Sequence, residues 1–175
     1  YYDAMLNDQS CYLRTGVNTE KFCPVSGEKK RELREKYRIP QDKKIVLHIG
    51  HMRPGRNLEA LALLKPPLHG LVVSSSYSAD TQDQALRQRL LENPNITVID
   101  TYLPHVEEIY QLSDLYLFPV LAAHNCIDVP LSALEAAACN LPVVTTAYGE
   151  LKELLGKDGF YEIQSFEPDS LNHMV

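Results

Sequence analysis

The sequence lacks any uninterrupted run of about 18 apolar residues, the minimum that a membrane-spanning helix requires. It also lacks a basic segment followed by an apolar stretch, so no secretory leader is predicted. No G-x-G-x-x-G pattern follows its first predicted strand, which argues against a dinucleotide-dependent oxidoreductase. From these absences we expect a protein without a membrane span, and the cytoplasm is its expected compartment.

Positive charge is also in short supply, since 17 lysines and arginines face 23 aspartates and glutamates, and the net charge is −6. A protein whose main role is to bind nucleic acid needs a basic surface, so that role is not expected. A phosphate ligand remains compatible with this balance, because one local arginine or one helix N-terminus is enough to bind it.

Cysteines are few and are not paired in the sequence. Cys11, Cys23, Cys126 and Cys139 form no Cys-x-x-Cys motif, and only His124 lies close to one of them. Structural zinc sites normally draw their ligands from such tight pairs. We therefore expect no metal site, and we expect reduced, mostly buried thiols.

What is present is a regular alternation of strand and helix patterns, in a chain of 175 residues that is long enough for one domain. Short β-branched runs alternate with helical patterns from residue 44 onward, which is typical of βαβ units on a parallel sheet. The predicted strands are 44–50, 70–76, 95–100, 114–120, 141–146 and 159–163, and the predicted helices are 56–64, 81–92, 105–113, 130–139 and 150–155. The predicted fold class is α/β, a doubly wound parallel sheet of about six strands.

Residues 1–43 follow a different pattern. "LRTGVNTEKFCP" is an irregular connector, and "SGEKKRELREKYRIP" is a charged amphipathic helix that ends before Pro40. We expect this N-terminal segment to pack on a ligand-binding domain formed by residues 44–175. Because the chain opens without an initiator methionine, we also expect it to be a fragment of a longer protein.

Ligands of open parallel sheets bind beyond the carboxyl ends of the strands, where the strand order reverses. The first such place is "HIGHMRPGRNLEALALL", where Gly50 ends a strand and a helix is predicted to begin near Arg56. Free N–H groups at that helix start, with Arg53, Arg56 or His51 beside them, would suit an anion. Two solvated loop arginines are the alternative interpretation.

The second place is "FPVLAAHNCIDVPLSALEAAACNLPVV", a loop followed by a helix of small residues with Glu135 in its middle. Asp128 is predicted to cap this helix, and Pro130 is tolerated in its first turn. Every helical neighbour of Glu135 is apolar or small, and burying an unpartnered carboxylate is costly. A ligand with two adjacent hydroxyl groups is a suitable partner, because a carboxylate only accepts hydrogen bonds. A remote arginine or lysine of the domain is the alternative partner.

Two further stretches follow strands. In "TTAYGELKELL", Gly149 permits close backbone approach, and the next helix would present its positive end to the same crevice. In "VIDTYLPHVEEIYQLSDLYLFPV", Tyr102 and Leu103 could lie on either side of a flat base, with an ordinary core position as the alternative for Tyr102. Four histidines have no functional neighbours in the sequence and are expected to be structural or solvated: His48, His69, His105 and His173.

Taken in order, these motifs resemble the C-terminal domain of a GT-B glycosyltransferase of the large retaining family, the glycosyl transferases group 1 type. The matching segments are "GVN…F.P" (16–24), "G…R-N" (50–57), "YLP…YQLSDLYLFP" (102–119), "LEAAACNLPVVTT" (134–146) and "GELKELL" (149–155). The resemblance implies that residues 44–175 form a Rossmann-like domain that binds a UDP- or GDP-linked sugar, and that an N-terminal acceptor domain is missing. It implies metal-independent transfer to a glycan or lipid acceptor, with no other cofactor. The fragment alone is then expected to be inactive, and the missing domain would offer a route to the inner membrane face.

The resemblance also implies roles for individual residues. Arg56, helped by Arg53 or His51, would stabilise charge on the departing diphosphate, and Asp128 would lie near the sugar. Glu135 matches the second glutamate of the family's acidic motif, which binds the ribose hydroxyls. The other expected contacts with the sugar donor are Gly50, Tyr102, Leu103, Asn125, Leu131, Gly149 and Glu150.

Three positions depart from the family's pattern. Ile127 stands where the first glutamate belongs, so Asp128 would have to replace it. Pro130 stands where glycine is common, which removes one N–H from the diphosphate site, and His51 replaces an arginine. These departures leave two alternatives open: a non-catalytic module that binds a nucleotide or a partner, and a nucleotide-sugar epimerase using Asp128, His51 and His124.

Overall fold

Six parallel strands form one sheet at the centre of the protein. The computed structural model describes residues 15–53, 55–74, 83–121, 126–157, 159–163, 166–167 and 169. The strands are β1 (Lys44–Ile49), β2 (Leu68–Val73), β3 (Ile96–Ile99), β4 (Leu115–Phe118), β5 (Val143–Thr145) and β6 (Phe160–Glu162). They pair in the order β3-β2-β1-β4-β5-β6, and every pair is parallel. The predicted doubly wound α/β fold is confirmed.

The central strands form where the sequence has short, nearly continuous apolar runs. Residues 45–48 of β1 are all buried, and so is the whole of β2. A strand that is covered on both faces loses the alternation of apolar and polar residues that a surface strand shows. Elements packed on both faces of the sheet account for this burial.

The helices lie between the strands, as predicted. They are α1 (Gly27–Lys36), α2 (Glu59–Ala62), α3 (Gln84–Glu92), α4 (Glu107–Leu112), α5 (Leu131–Ala138) and a 3₁₀ helix (Gly149–Glu153). Ser26 caps α1, since its side chain accepts a hydrogen bond from the Lys29 N–H. Asp83 caps α3 in the same way through the Leu86 N–H. Both caps satisfy amide groups that have no partner within the helix.

Two predicted helix starts are wrong. Helix α2 begins at Glu59 rather than near Arg56, because Asn57 adopts a left-handed backbone with a φ of 55°. Helix α5 begins at Leu131, and the preceding Pro130 occupies the cap position in an extended conformation. Asp128 therefore does not cap α5. Helix α2 has only 4 residues, so its N-terminus offers little of the dipole expected of the first loop.

Two apolar cores lie on opposite faces of the sheet. On one face, α1, α4 and α5 pack over the sheet around residues such as Leu33, Tyr110 and Ala136. On the other face, α2 and α3 pack around residues such as Leu61 and Leu86. This arrangement leaves the carboxyl ends of the strands as the edge on which the loops can form a site.

Asp114 joins the N-terminal segment to the sheet. One of its carboxylate oxygens accepts from Lys30 at 2.7 Å, and the other accepts from Arg34 at 2.6 Å and from the Ile45 N–H at 2.7 Å. Burial alone would raise the pKa of Asp114, but hydrogen bonds from Lys30 and Ile45 and the charges of both basic residues hold the pKa below its usual value. Residues 27–36 therefore belong structurally to the sheet domain.

The order of the strands reverses between β1 and β4, which lie side by side at the centre of the sheet. Their carboxyl ends lead into residues 50–53 and 119–121, respectively. In the part of the chain that the structure describes, no helix is both long and apolar enough to cross a bilayer. Cys23, Cys126 and Cys139 are free thiols. No group of three or more potential ligands is arranged for a metal among these described residues.

Candidate functional site

The loop after β1 brings a cation to the carboxyl end of the sheet. The N–H of Gly50 donates to the Val73 carbonyl at 3.0 Å, which continues the pairing of β1 with β2 by one residue. A Cβ atom on Gly50 would lie 2.9 Å from Nη1 of Arg56 and 3.0 Å from Nε2 of His48. Glycine at this position therefore leaves the space into which both side chains project.

Arg56 is a buried cation that forms no ion pair with any residue in the described part of the chain. Arg56 is 9% exposed, and its Nε is shielded from solvent and makes no hydrogen bond. Across the described ranges, no carboxylate forms an ion pair with it. A buried charge that lacks a partner is costly, and an anionic ligand would remove that cost. This residue is thus better suited to a bound anion than to a role in the fold.

His51 and Arg53 lie in the same loop with different exposures. Arg53 is exposed, whereas His51 is half-buried. Burial lowers the pKa of His51, and the charges of Arg53 and Arg56 lower it further. His51 is therefore uncharged at neutral pH, and the two arginines supply the positive charge of the loop.

Glu135 is held by a tyrosine rather than by a cation. Its Oε2 accepts a hydrogen bond of 2.6 Å from the Tyr110 hydroxyl, which lies on α4. Burial raises the pKa of Tyr110, and the nearby Tyr116 and Glu135 raise it further, so the phenol remains a neutral donor. In the described residues Glu135 has no arginine or lysine partner, which was the alternative that the sequence left open. One carboxylate oxygen is thus fixed while the other is left for a further donor.

Tyr116 connects the region of Glu135 to the end of β1. Its hydroxyl donates to the Ile49 carbonyl at 3.3 Å. Its ring lies 6.0 Å from that of Tyr110 and 6.3 Å from that of His48, measured between ring centroids. These rings therefore connect the Tyr110–Glu135 hydrogen bond to the carboxyl end of β1, which the loop of Arg56 follows.

The loop that enters α5 is fixed by Tyr148. Its hydroxyl donates to the Cys126 carbonyl at 2.6 Å and accepts from the Cys126 N–H at 3.0 Å. Gly149 has a φ of 49°, and a Cβ there would lie 2.3 Å from the Asp128 carbonyl oxygen. The same carbonyl accepts from the Glu150 N–H at 3.0 Å. The close approach that Gly149 permits is thus to residues 126–130, and the Glu150 amide of the 3₁₀ helix is used there too.

Several candidate residues are exposed around this edge of the sheet. Tyr102 is 82% exposed, so the interpretation of Tyr102 as a core residue is wrong, while Leu103 is half-buried against the core. Ile127 is 61% exposed, Asp128 is exposed, and Leu131 at the start of α5 is partly exposed. Asn125 and His124 lie outside the residues that the structure describes.

A separate cavity of about 840 Å³ opens at the opposite end of the sheet. It is lined by residues at the amino ends of β4 and β5, among them Leu115 and Pro142, and by Lys30 and Asp114, which bind each other. In parallel sheets ligands bind at the carboxyl ends of the strands. We therefore do not assign the candidate site to this cavity.

Sequence reasoning missed three residues that shape the site: His48, Tyr110 and Tyr148. His48 carried a signal, because a histidine inside the apolar run "KIVLHIG" must be buried with a partner. The two tyrosines gave no such signal, since an aromatic residue in a helix or loop is most often part of the core. Only the packing of α4 against α5 shows that Tyr110 reaches Glu135.

Comparison with known proteins decides the family. The profile of the family described as "Glycosyl transferases group 1" matches residues 43–174. The chain belongs to this family. The glycosyltransferase domain is also 30% identical over 145 residues to the D-inositol 3-phosphate glycosyltransferase of Mycolicibacterium smegmatis. That match covers 78% of this chain but 32% of the relative, so the chain spans about a third of that protein.

Solved structures share the fold of this glycosyltransferase domain. Anabaena HepE in complex with UDP-glucose superposes with a TM-score of 0.66 at 18% identity, over 83% of this chain and 41% of that chain. The C-terminal domain of LpcC from Francisella tularensis, a glycosyl transferase group 1 family protein, gives a TM-score of 0.63 at 20% identity, over 89% of this chain and 84% of that one. At these identities the likeness establishes the fold, the Rossmann-like half of a GT-B glycosyltransferase.

Proposed function

We propose that this domain binds the sugar donor in a glycosyltransferase that transfers a sugar from a UDP- or GDP-linked donor to a glycan or lipid. The observation that carries the proposal is the buried guanidinium of Arg56, which has no counterion in the described part of the chain and lies where the strand order reverses. The family membership, and a fold shared with a protein solved with UDP-glucose, support the same function.

In this proposal the diphosphate of the sugar donor binds at Arg56. A guanidinium can donate two parallel hydrogen bonds to phosphate oxygens, and its positive charge strengthens both. When the bond between the sugar and the diphosphate breaks, negative charge grows on the leaving diphosphate. A cation already fixed beside it stabilises that charge without having to reorganise. Arg53 adds charge from the exposed side of the loop, and no metal or other cofactor is required.

The ribose of the nucleotide binds at Glu135. The Tyr110 hydroxyl fixes one carboxylate oxygen at 2.6 Å, which sets the orientation of the group. The ribose 2′- and 3′-hydroxyls are adjacent donors, and an ionised carboxylate offers enough acceptor positions for both Tyr110 and the sugar. Tyr102 and Leu103, which follow β3, would contact the base.

The sugar itself would lie near the 126–130 loop, where the exposed Asp128 and Ile127 stand. The acceptor would bind to a domain outside this chain, so the 175-residue chain is proposed to bind the sugar donor without turnover. Two other outcomes remain open: a module that binds a nucleotide without catalysis, and an epimerase that acts on the sugar of the donor.

Calorimetry with UDP, GDP and ADP tests the proposal on the 175-residue chain. Binding of UDP or GDP that the matched variant Arg56→Met weakens supports it, while a chain that binds none of the three contradicts it. Arg31→Met is the control, because Arg31 is an exposed arginine on α1, outside this loop. With the full-length protein, appearance of an epimer of the sugar donor would favour the epimerase, and nucleotide binding without any product would favour the non-catalytic module.

A further inference from the structure

His48 is a buried histidine with a fixed proton and an unused acceptor. It is 0% exposed, and its Nδ1 lies 2.9 Å from the Leu117 carbonyl of β4. A carbonyl oxygen only accepts, so the proton is on Nδ1 and the Nε2 lone pair is bare. Nε2 has no hydrogen-bond partner although it is shielded from solvent. Buried polar atoms are nearly always paired, so this one requires an explanation.

Both Nε2 of His48 and the Arg56 guanidinium lie next to Gly50. Nε2 of His48 and Nη1 of Arg56 lie 3.0 Å and 2.9 Å from the position that a Cβ on Gly50 would occupy. Burial lowers the pKa of His48 to about 4, and the charge of Arg56 contributes to that shift. The two groups therefore share the space that the missing side chain of Gly50 leaves open.

The ring of His48 is fixed as well as its proton. It stacks against Tyr116 at 6.3 Å with an interplanar angle of 14°, and against Phe118 at 6.4 Å with an angle of 26°. With the Nδ1 hydrogen bond, these contacts leave the ring one orientation. The direction of the Nε2 lone pair is thus set by the sheet and not by the loop that carries Arg56.

We propose that His48 is a positioning residue, whose unprotonated Nε2 orients the Arg56 guanidinium toward the diphosphate without cancelling its charge. This inference rests on the proposed function of the same site. A carboxylate at this position would also orient the guanidinium, but it would neutralise the charge that the diphosphate needs. A neutral acceptor attracts one face of the cation and leaves its net charge available to the ligand. The role explains why a polar ring interrupts an otherwise apolar strand.

Two substitutions separate the acceptor from the ring. His48→Phe keeps a flat ring between Tyr116 and Phe118 but removes the lone pair, whereas His48→Gln restores an acceptor oxygen at a similar reach. The matched control is His69→Phe. His69 is also buried in a central strand, and its Nε2 lies 2.9 Å from the Thr97 hydroxyl oxygen, to which it is hydrogen-bonded. Inorganic pyrophosphate, UDP and uridine are the probes, and calorimetry gives the Kd of each.

We expect His48→Phe to weaken pyrophosphate and UDP about tenfold, because the guanidinium loses the nearby acceptor that orients it. Uridine, which has no phosphate, should bind within about twofold of the parent. His48→Gln should recover most of the affinity for pyrophosphate, and His69→Phe should leave it unchanged. A purely structural role would instead weaken uridine and pyrophosphate equally.

The inference is overturned if His48→Phe binds pyrophosphate as tightly as the parent, or if His48→Gln is as weak as His48→Phe. Either result leaves the proposed function standing. If the parent binds pyrophosphate but no nucleotide, the proposed function fails while the anion site and the role of His48 survive. If the parent binds neither pyrophosphate nor UDP, both fail together.

Discussion

Replacing Arg56 by methionine should have opposite effects on stability and on binding. Methionine has a similar length and fills the same space, but it carries no charge. Arg56 is 9% exposed, its Nε has no hydrogen-bond partner, and no described residue forms an ion pair with it, so its burial is a cost to the folded chain. Arg56→Met should therefore leave the ligand-free domain at least as stable as the parent.

The expected sizes follow from the geometry. Exchanging a buried charge for a well-packed apolar side chain should change the free energy of unfolding by between zero and a gain of about 2 kcal/mol. The lost hydrogen bonds to the diphosphate are charge-assisted and contribute about 1.5–3 kcal/mol, so the Kd should rise about 10- to 150-fold. At a UDP concentration of 100 times the parent's Kd, the ligand stabilises the parent by about 2.7 kcal/mol. A variant whose Kd is about 30-fold higher gains only about 0.9 kcal/mol at that concentration.

The assay is urea denaturation of parent and variant, with and without that concentration of UDP. Without ligand the variant should be at least as stable as the parent, and adding UDP should shift the difference in free energy of unfolding toward the parent by about 1.8 kcal/mol. Arg31→Met is the control, because Arg31 is exposed on α1, outside this loop, and should change neither quantity by much. A variant that loses more than about 1 kcal/mol without ligand would show that Arg56 supports the fold. Unchanged affinity for UDP would show that it does not contact the diphosphate.

Three further predictions concern the rest of the domain. Asp114→Asn should lower the free energy of unfolding at pH 7 by about 3 kcal/mol, because it breaks a buried ion pair. The control Glu32→Gln, which removes an exposed ion pair, should lower it by less than about 0.5 kcal/mol. The pKa of Asp114 is lowered in the folded state, so its carboxylate contributes its full stabilisation above about pH 4 and loses it as the pH falls through the folded pKa. Urea denaturation should therefore show a smaller difference in stability between the parent and Asp114→Asn at pH 3 than at pH 7. Gly149→Ala places a Cβ 2.3 Å from a backbone carbonyl oxygen and should destabilise the domain by about 3 kcal/mol in thermal or urea unfolding. The control Gly156→Ala places its Cβ in open space and should destabilise the domain by about 1 kcal/mol. The charges of Arg53 and Arg56 add to burial in lowering the pKa of His51, so a bound diphosphate, which offsets those charges, should raise that pKa. Calorimetry should therefore show that UDP-glucose binds more tightly at pH 6 than at pH 8, and His51→Gln should remove this pH dependence. Equal stability of the two alanine variants, or pH-independent binding by the parent, would contradict these arguments.

The sheet could be predicted from the sequence because its signal is local. Each buried strand is a short apolar run between turn residues, and the alternation with helices sets the fold class without knowledge of any long-range contact. The helix starts were less predictable, because one residue decides them. Asn57 in a left-handed conformation delays α2 until Glu59, and nothing in the residues around it announces that turn.

The site was predictable where the chemistry itself is unusual. A glutamate among small apolar residues and arginines after the first strand both stand out in the sequence, and both lie where the strand order reverses. The partners of these groups could not be read from the sequence. Tyr110 meets Glu135 only because α4 packs on α5, and His48 and Arg56 come near one another only because both reach the space beside Gly50. Such contacts join residues that are distant in the chain, and local patterns carry no record of them.

The most direct test of the central claim compares UDP with 2′,3′-dideoxy-UDP on the parent and on Glu135→Ala. If Glu135 binds the ribose, removing both hydroxyls should weaken binding to the parent at least about tenfold, because hydrogen bonds to a carboxylate are lost. The same change should cost Glu135→Ala almost nothing, so the two effects should be strongly non-additive. An equal loss for both proteins would contradict the account, since the ribose would then lie elsewhere.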